Sequence, residues 1–356
     1  MMLPIESNGY SVFFDNSLAE LATFLRESSY SKVFFLTDLN TSEHCMPLIG
    51  KYLPELDNYD IIEVDPGEEN KNIDYCIGVW QMLLDFGADR NSLLINLGGG
   101  VITDMGGFAA STFKRGIDFV QVPTTLLSQV DASVGGKTGI DLGSIKNIIG
   151  TFTQPKAVFI STEFLKSLSA RQLVSGFGEI VKHGLIADRD YYYQVQKISP
   201  EEIPSEIIYR SVEIKNKVVT IDPFEKGLRK TLNFGHTIGH AVETFSLKND
   251  SDPLLHGEAI ALGMICEAYL SVKHNTLTEN ELNEIVQYIR KVFPDYPLHT
   301  SSFPAIMEFM KNDKKNSNGQ IGFALLNAIG DCGYNQFIEE EHILQSLEYY
   351  QLVAGK

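Results

Sequence analysis

A chain of 356 residues, 44% hydrophobic and 21% charged, has the makeup of an ordinary folded protein of about two domains. Its net charge of −17 argues against a nucleic-acid binder, which would show a basic stripe. Cys45, Cys76, Cys266 and Cys332 form no C-x-x-C pair, which argues against a disulfide framework or a thiolate zinc site. The opening MMLPIESNGYSVFF has no basic segment ahead of an apolar one, and no apolar run approaches the ~18 residues of a membrane span; a reduced cytoplasm fits.

The charge is uneven. Lys114 to Lys230 holds 16 Lys+Arg and 13 Asp+Glu, a balance of +3, and the remainder carries −20. A cationic middle in an acidic protein fits a place where an anion binds, although chance variation gives the same contrast.

In chain order, apolar runs predict strands at KVFFLTD from Lys32, DIIEVD from Asp60, SLLINLG from Ser92, DFVQVP from Asp118 and KAVFIS from Lys156. Helical patterns such as Leu18–Arg26 and Asp74–Phe86 lie between them. Apolar strands alternating with helices predict a parallel sheet covered on both faces, with ligands at the carboxyl ends of its strands. From about Thr162 the pattern becomes helical, over Leu165–Ile186, Glu201–Val219, Asn233–Phe245, Gly257–Lys273 and Glu279–Val292. Strand signal returns only in IGFALLNAIG and YNQFIE. The expectation is an α/β domain over residues 1–165 and a mainly helical domain over 166–356.

Residues 92–110 carry an apolar strand into Gly98-Gly99-Gly100, with a helix expected near Thr103. Glycines admit a close ligand, and a helix N-terminus offers free N–H groups, which suits a phosphate; a tight turn with no ligand reads equally well. The G-x-G-x-x-G fingerprint fails, since Thr103 stands at its third glycine. A second loop, VPTTLLSQVDASVGGKTGI, supplies Thr124 and Thr125 at a strand end and a Gly-Gly-Lys at 135–137. Asp131 stands where a P-loop needs its first glycine, so nucleoside-triphosphate hydrolysis is poorly supported, while Lys137 still suits an anion.

His236 and His240 share a helix face at i, i+4, a spacing that can hold zinc, but H-E-x-x-H is absent because Thr237 follows His236. Glu179, Lys182 and His183 share another face, and His256 follows in LLHGE. One carboxylate and two imidazoles make a usual catalytic zinc set with a position open for substrate. The spacing does not say which two histidines take part. Lys215, Arg229, Asn233, His236 and His240 add a dense run of polar groups.

Together GGGVITDMGGFAASTFKRGIDFVQVPTTL, QVDASVGGKTGID, KNIIG, GFGEIVKHGLI, KGLRKTLNFGHTIGHA and LHGEAIALGM resemble the 3-dehydroquinate synthase family, in order and at matching spacing. The likeness runs through the closing DKKN…IGFALLNAIG. It implies an N-terminal Rossmann-like parallel-sheet NAD domain and a C-terminal mainly α-helical domain for metal and substrate. It also implies a cytoplasmic homodimer with NAD and one divalent metal, normally zinc, with cobalt as an alternative, and no nucleic-acid or membrane partner. The family reaction turns 3-deoxy-D-arabino-heptulosonate 7-phosphate into 3-dehydroquinate and phosphate, through oxidation, phosphate loss, reduction, ring opening and aldol closure.

The resemblance implies metal ligands Glu179, His236 and His256, which moves His240 to the substrate side. For NAD it implies Asp38, Asn40, Glu68, Lys71, Gly99, Gly100, Val101 and Asp104. Thr124, Thr125, Lys146, Phe164 and Ser167 complete that set, and Lys137 belongs to both the cofactor and the substrate sets. Asp131, Lys137, Lys182, Lys215, Arg229, Asn233 and His240 are implied at the reacting substrate, with Asn147 binding it. Arg115 is implied to reach the neighbouring subunit's site, and Lys315 or Lys314 to approach the phosphate. The chain departs from the family in having His183 where tyrosine is common, and in its loop Asp141–Ser144. A cyclase that makes a cyclitol from a sugar phosphate without a carboxylate, and a metal-dependent alcohol or glycerol dehydrogenase, are the competing expectations; Arg229 and Asn233, kept as in the family that the chain resembles, disfavour the first.

Overall fold

A computed structural model describes residues 2–56, 58–143, 145–311 and 321–355. The chain forms two compact units, Met1–Ser169 and Ala170–Lys356.

The first unit runs β1 (Ile5–Glu6), β2 (Ser11–Phe13), α1 (Ser17–Glu27), β3 (Val33–Asp38), α2 (Leu39–His44), α3 (Met46–Tyr52) and β4 (Tyr59–Val64). It continues through α4 (Ile73–Asp85), β5 (Leu93–Gly98), α5 (Gly100–Thr112), β6 (Asp118–Pro123), β7 (Lys137–Leu142), β8 (Ile145–Phe152) and β9 (Ala157–Phe159). Seven strands make one sheet in the order β1-β2-β9-β6-β5-β3-β4. All neighbours are parallel except β1 and β2. Alternate side chains along a strand face opposite ways, so each apolar run feeds two cores. Phe34, Leu36 and Leu94 pack with Val79, Leu83, Ile102 and Met105 of α4 and α5. Phe35, Leu93, Ile95 and Leu97 pack with Leu18, Leu21 and Ile49 of α1 and α3.

The second unit holds α6 (Ala170–Ala187), α7 (Arg189–Val195), α8 (Ser205–Ile221), α9 (His236–Asn249), α10 (His256–His274) and α11 (Glu279–Val292). It ends with α12 (Phe303–Lys311), the antiparallel pair β10 (Gly322–Ala328) and β11 (Asp331–Phe337), and α13 (Glu340–Ala354). α10 is its central helix, buried almost along its full length and packed against α6, α9, α11 and α13.

Several expected boundaries shift for local reasons. α5 begins at Gly100, not near Thr103, because the extended Gly99 caps it directly. The expected helix Leu165–Ile186 is a 3-10 turn, Thr162–Ser167, followed by the separate α6, since Leu168 is extended. α8 starts at Ser205 instead of Glu201, because Pro204 restrains the residue before it and caps the helix. α9 starts at His236 instead of Asn233, because Gly235 sits at φ 79°. KAVFIS contributes only the three residues of β9. The second glycine loop is not loop throughout: Ser128–Ala132 forms a wide helical turn, and Lys137 opens the β7–β8 hairpin.

Candidate active site

In the first unit the carboxyl ends of β9, β6, β5, β3 and β4 line up along one edge, and the expected cofactor residues follow those ends. Asp38 closes β3 and caps α2, its Oδ1 accepting the Thr41 N–H at 2.8 Å, with Asn40 exposed on the first turn. Gly99, Gly100 and Val101 make the turn from β5 into α5. Thr124 leaves β6 with its N–H on the Gly98 carbonyl at 3.0 Å. The Thr125 hydroxyl bonds the Ser128 hydroxyl at 3.0 Å. Phe164 is buried in the 3-10 turn after β9, and Ser167 donates to its carbonyl at 3.0 Å.

A charge cluster includes Asp104 of α5. Lys71 is buried, 2.7 Å from Asp104 and 3.8 Å from Glu68. Glu68 also meets Lys146 at 3.6 Å. Burial works against the Lys71 charge, but Asp104, Glu68 and Asp141 outweigh it and raise its pKa, so the ammonium stays charged. Asn147 adopts φ 50° and donates its N–H to Asp141 at 2.7 Å. Asp131 lies half-buried on the wide turn, and Lys137 is exposed at the start of β7. Arg115 is not brought to this edge: it is exposed, at φ 72°, in the turn that enters the amino end of β6.

In the second unit α6 carries Glu179, Lys182 and His183, all buried. His236 opens α9 and His256 opens α10. The helices meet closely: a Cβ on Gly257 would lie 1.8 Å from the Ser175 carbonyl oxygen, so only glycine lets α10 approach α6 here. Arg171 of α6 reinforces that contact, binding Glu258 through two bonds of 2.8 Å while Glu258 accepts the Leu255 N–H at 2.8 Å.

Two imidazoles therefore converge on one carboxylate. His236 Nε2 lies 3.5 Å and His256 Nε2 3.6 Å from Glu179 Oε1. Zinc–nitrogen bonds of about 2.0–2.1 Å put tetrahedral donors roughly 3.4 Å apart, so these spacings fit a divalent ion among the three. The far ring nitrogens are also occupied. His236 Nδ1 faces the Phe234 carbonyl at 3.1 Å and His256 Nδ1 faces Glu243 Oε2 at 3.4 Å. Burial lowers the proton affinity of His256, but Glu243 and Glu179 more than restore it and its pKa rises to about 9. A field that holds a proton there also attracts a cation. His240 adjoins both rings, with ligand atoms of all three histidines within 4.8 Å of one another.

Three of the expected cationic groups are buried in the second unit. Lys182 pairs with Glu179. Lys215 is buried on α8. Arg229 is buried in the 3-10 turn Leu228–Asn233; its Nη1 donates to the Pro223 carbonyl at 2.7 Å and its N–H to Asp222 at 3.1 Å. Asn233 donates to Glu225 Oε1 at 2.8 Å, with Glu225 at φ 57°. Glu225 and Glu243 escape the sequence reading. Glu243 could have been found, since it follows His236 by seven residues and His240 by three on one face of α9. Lys314 and Lys315 lie outside the described residues.

Known families match the chain in two consecutive parts that meet within α6. Residues 61–175 match the family described as 3-dehydroquinate synthase N-terminal, and residues 176–316 match 3-dehydroquinate synthase C-terminal. A 3-dehydroquinate synthase of Parabacteroides distasonis is 42% identical over 95% of this chain and 96% of its own. A 2-deoxy-scyllo-inosose synthase solved with carbaglucose-6-phosphate, NAD+ and Co2+ shares the fold at TM-score 0.87 and 24% identity, covering 98% of this chain and 100% of its own. So does 2-epi-5-epi-valiolone synthase of Streptomyces hygroscopicus subsp. jinggangensis, solved with NAD+ and Zn2+, at TM-score 0.81 and 24% identity, covering 98% of this chain and 99% of its own. With two family matches spanning most of its length and a full-length relative at this identity, the chain belongs to the 3-dehydroquinate synthase family.

Proposed function

We propose that this chain converts 3-deoxy-D-arabino-heptulosonate 7-phosphate to 3-dehydroquinate and phosphate, with NAD and one divalent metal as cofactors. The observation that carries the metal-dependent reading is the approach of His236 and His256 to the same oxygen of Glu179. Glu179, His236 and His256 hold the metal, and three protein ligands leave a position for substrate. Glu68, Lys71, Asp104 and the Gly99–Gly100 turn belong to the NAD site. When bound, NAD would supply a hydride acceptor and donor, and the metal a Lewis acid for the reacting oxygen.

The chain's own residues divide the remaining work. Arg229 offers the substrate carboxylate a planar fork, with Lys215 adding charge. Lys137, Asn147, Asn233 and His240 suit the phosphate. Asp131, Lys182 and His240 are the groups suited to moving protons at the substrate ring. Because NAD is restored each cycle, turnover leaves no net redox change. The same reading places the enzyme in the cytoplasm as a homodimer. No helix among the described residues is long and apolar enough to cross a membrane.

The test is phosphate release from the heptulosonate phosphate by purified protein with NAD, with competing sugar phosphates alongside. Phosphate should appear without accumulation of NADH, and chelation should abolish activity until zinc or cobalt is restored. Steady growth of NADH absorbance would move the assignment to a dehydrogenase. Faster turnover of a sugar phosphate without a carboxylate would move it to a cyclitol-forming cyclase.

A further inference from the structure

We infer that Glu243 is a positioning residue for the divalent cation, acting through His256 to set how tightly the ion is held. The inference rests on the metal-site reading above and goes past its three ligands.

Glu243 is 3% exposed, and a carboxylate is seldom so buried unless it is paired. Its Oε2 faces His256 Nδ1, on the far side of the ring from the Nε2 that approaches Glu179. An Nδ1–H donated to Glu243 fixes the tautomer and leaves the Nε2 lone pair aimed at the ion. A carboxylate behind the ring also makes that nitrogen a stronger donor than a carbonyl would. The contrast exists within this site, since His236 has the neutral Phe234 carbonyl behind it.

Charge supplies the second argument. Lys182 pairs with the one carboxylate among the ligands. Its ammonium offsets much of the attraction Glu179 has for a dication. Glu243 returns a negative charge to the cluster from a position that does not occupy a coordination site. Its place is built into one helix. His236 and Glu243 are seven residues apart, two helical turns, so α9 delivers both a ligand and the group that steadies the other ligand.

The experiment compares wild type, Glu243→Gln, Glu243→Asp and His236→Ala in the full chain. Metal-free protein is titrated with Zn2+ and with Co2+ against a chromophoric chelator, and the visible absorption of the Co2+ form is recorded. Helical content and thermal midpoint of the metal-free proteins are measured in parallel. Glu243→Gln keeps the shape and removes the charge. It should bind both ions about 10–100-fold more weakly and alter the Co2+ bands, with the metal-free midpoint near wild type. Glu243→Asp should recover part of the affinity. Wild-type affinity and unchanged Co2+ bands in Glu243→Gln, with His236→Ala impaired, would overturn the role of Glu243 alone. A loss of affinity that appears only with lost helical content and a lowered metal-free midpoint would overturn it too. Wild type that binds neither ion, or His236→Ala that binds as wild type, would overturn the metal site and this inference with it.

Discussion

The Glu267 carboxylate accepts the backbone N–H of Gly235 at 2.7 Å, across an interval of 32 residues. Its other oxygen accepts the Ile238 N–H at 3.1 Å. Helix N-termini leave their first N–H groups without partners, and Gly235 has no side chain with which to cap α9. Glu267, fully buried on α10, caps it from the neighbouring helix, and the helix dipole favours the negative charge there. The capped helix begins with His236, so the cap also places a proposed ligand.

Glu267→Ala should therefore lower the urea midpoint, through a loss of unfolding free energy of about 1–3 kcal/mol for each buried N–H left without an acceptor. Glu267→Gln, which keeps one acceptor oxygen, should lose less. Zinc affinity should fall in step with stability, because both depend on the first turn of α9. A midpoint unchanged in Glu267→Ala would show that these amides find other partners.

Glycine substitutions should separate packing from propensity. Gly257→Ala puts a methyl 1.8 Å from the Ser175 carbonyl oxygen, which forces α10 away from α6 and His256 away from Glu179. A loss of more than about 3 kcal/mol is expected, with metal binding lost in the same variant. Gly78→Ala lies within α4, and nothing stands within 4 Å of the added methyl. It should stabilise by about 0.5–1 kcal/mol. Thermal midpoints of the two variants are the check; equal shifts would contradict the close approach at Gly257.

Acid should reach the Arg229 turn through Asp222. Its carboxylate accepts N–H groups from Gly227 at 2.7 Å, Lys226 at 3.0 Å and Arg229 at 3.1 Å. Burial works to raise its pKa, but these bonds and the Arg229 charge hold it below the ordinary carboxylate value. The unfolded chain therefore takes up this proton first, near pH ~3.9. The stabilisation is present above that value and is lost as pH falls through the lower folded one. Asp222→Asn should be less stable than wild type at pH 7, and the difference should shrink once the wild-type carboxyl is protonated. At pH 7 its KM should rise about tenfold with a smaller change in kcat, the worth of one charge-assisted hydrogen bond in placing Arg229. A stability gap that stays constant from pH 7 into acid would refute the linkage.

How legible each part of the molecule was depended on the range of the forces that shape it. β3, β5 and β6 show as apolar runs because both of their faces are buried, and the turn at Gly98–Gly100 shows because glycine marks it locally. β1, β2 and the β7–β8 hairpin do not show as strands, since their pairing partners and not their own composition hold them extended. The start of α9 was misread by three residues because a single left-handed glycine outweighed the helical pattern around it.

The candidate site divides in the same way. By itself the sequence determined which residues share a helix face, because a helix repeats every 3.6 residues and His236, His240 and Glu243 obey that spacing. It also determined the family, through six motifs in order. Spacing alone offered His236 with His240 and left the rest of the set open. Only the packing of α10 against α6 and α9 brought His256 and His236 to one oxygen of Glu179 and put Glu243 behind His256. Periodicity orders the residues of one helix, but the meeting of three helices depends on contacts between residues far apart in the chain, such as Gly257 with Ser175 and Gly235 with Glu267.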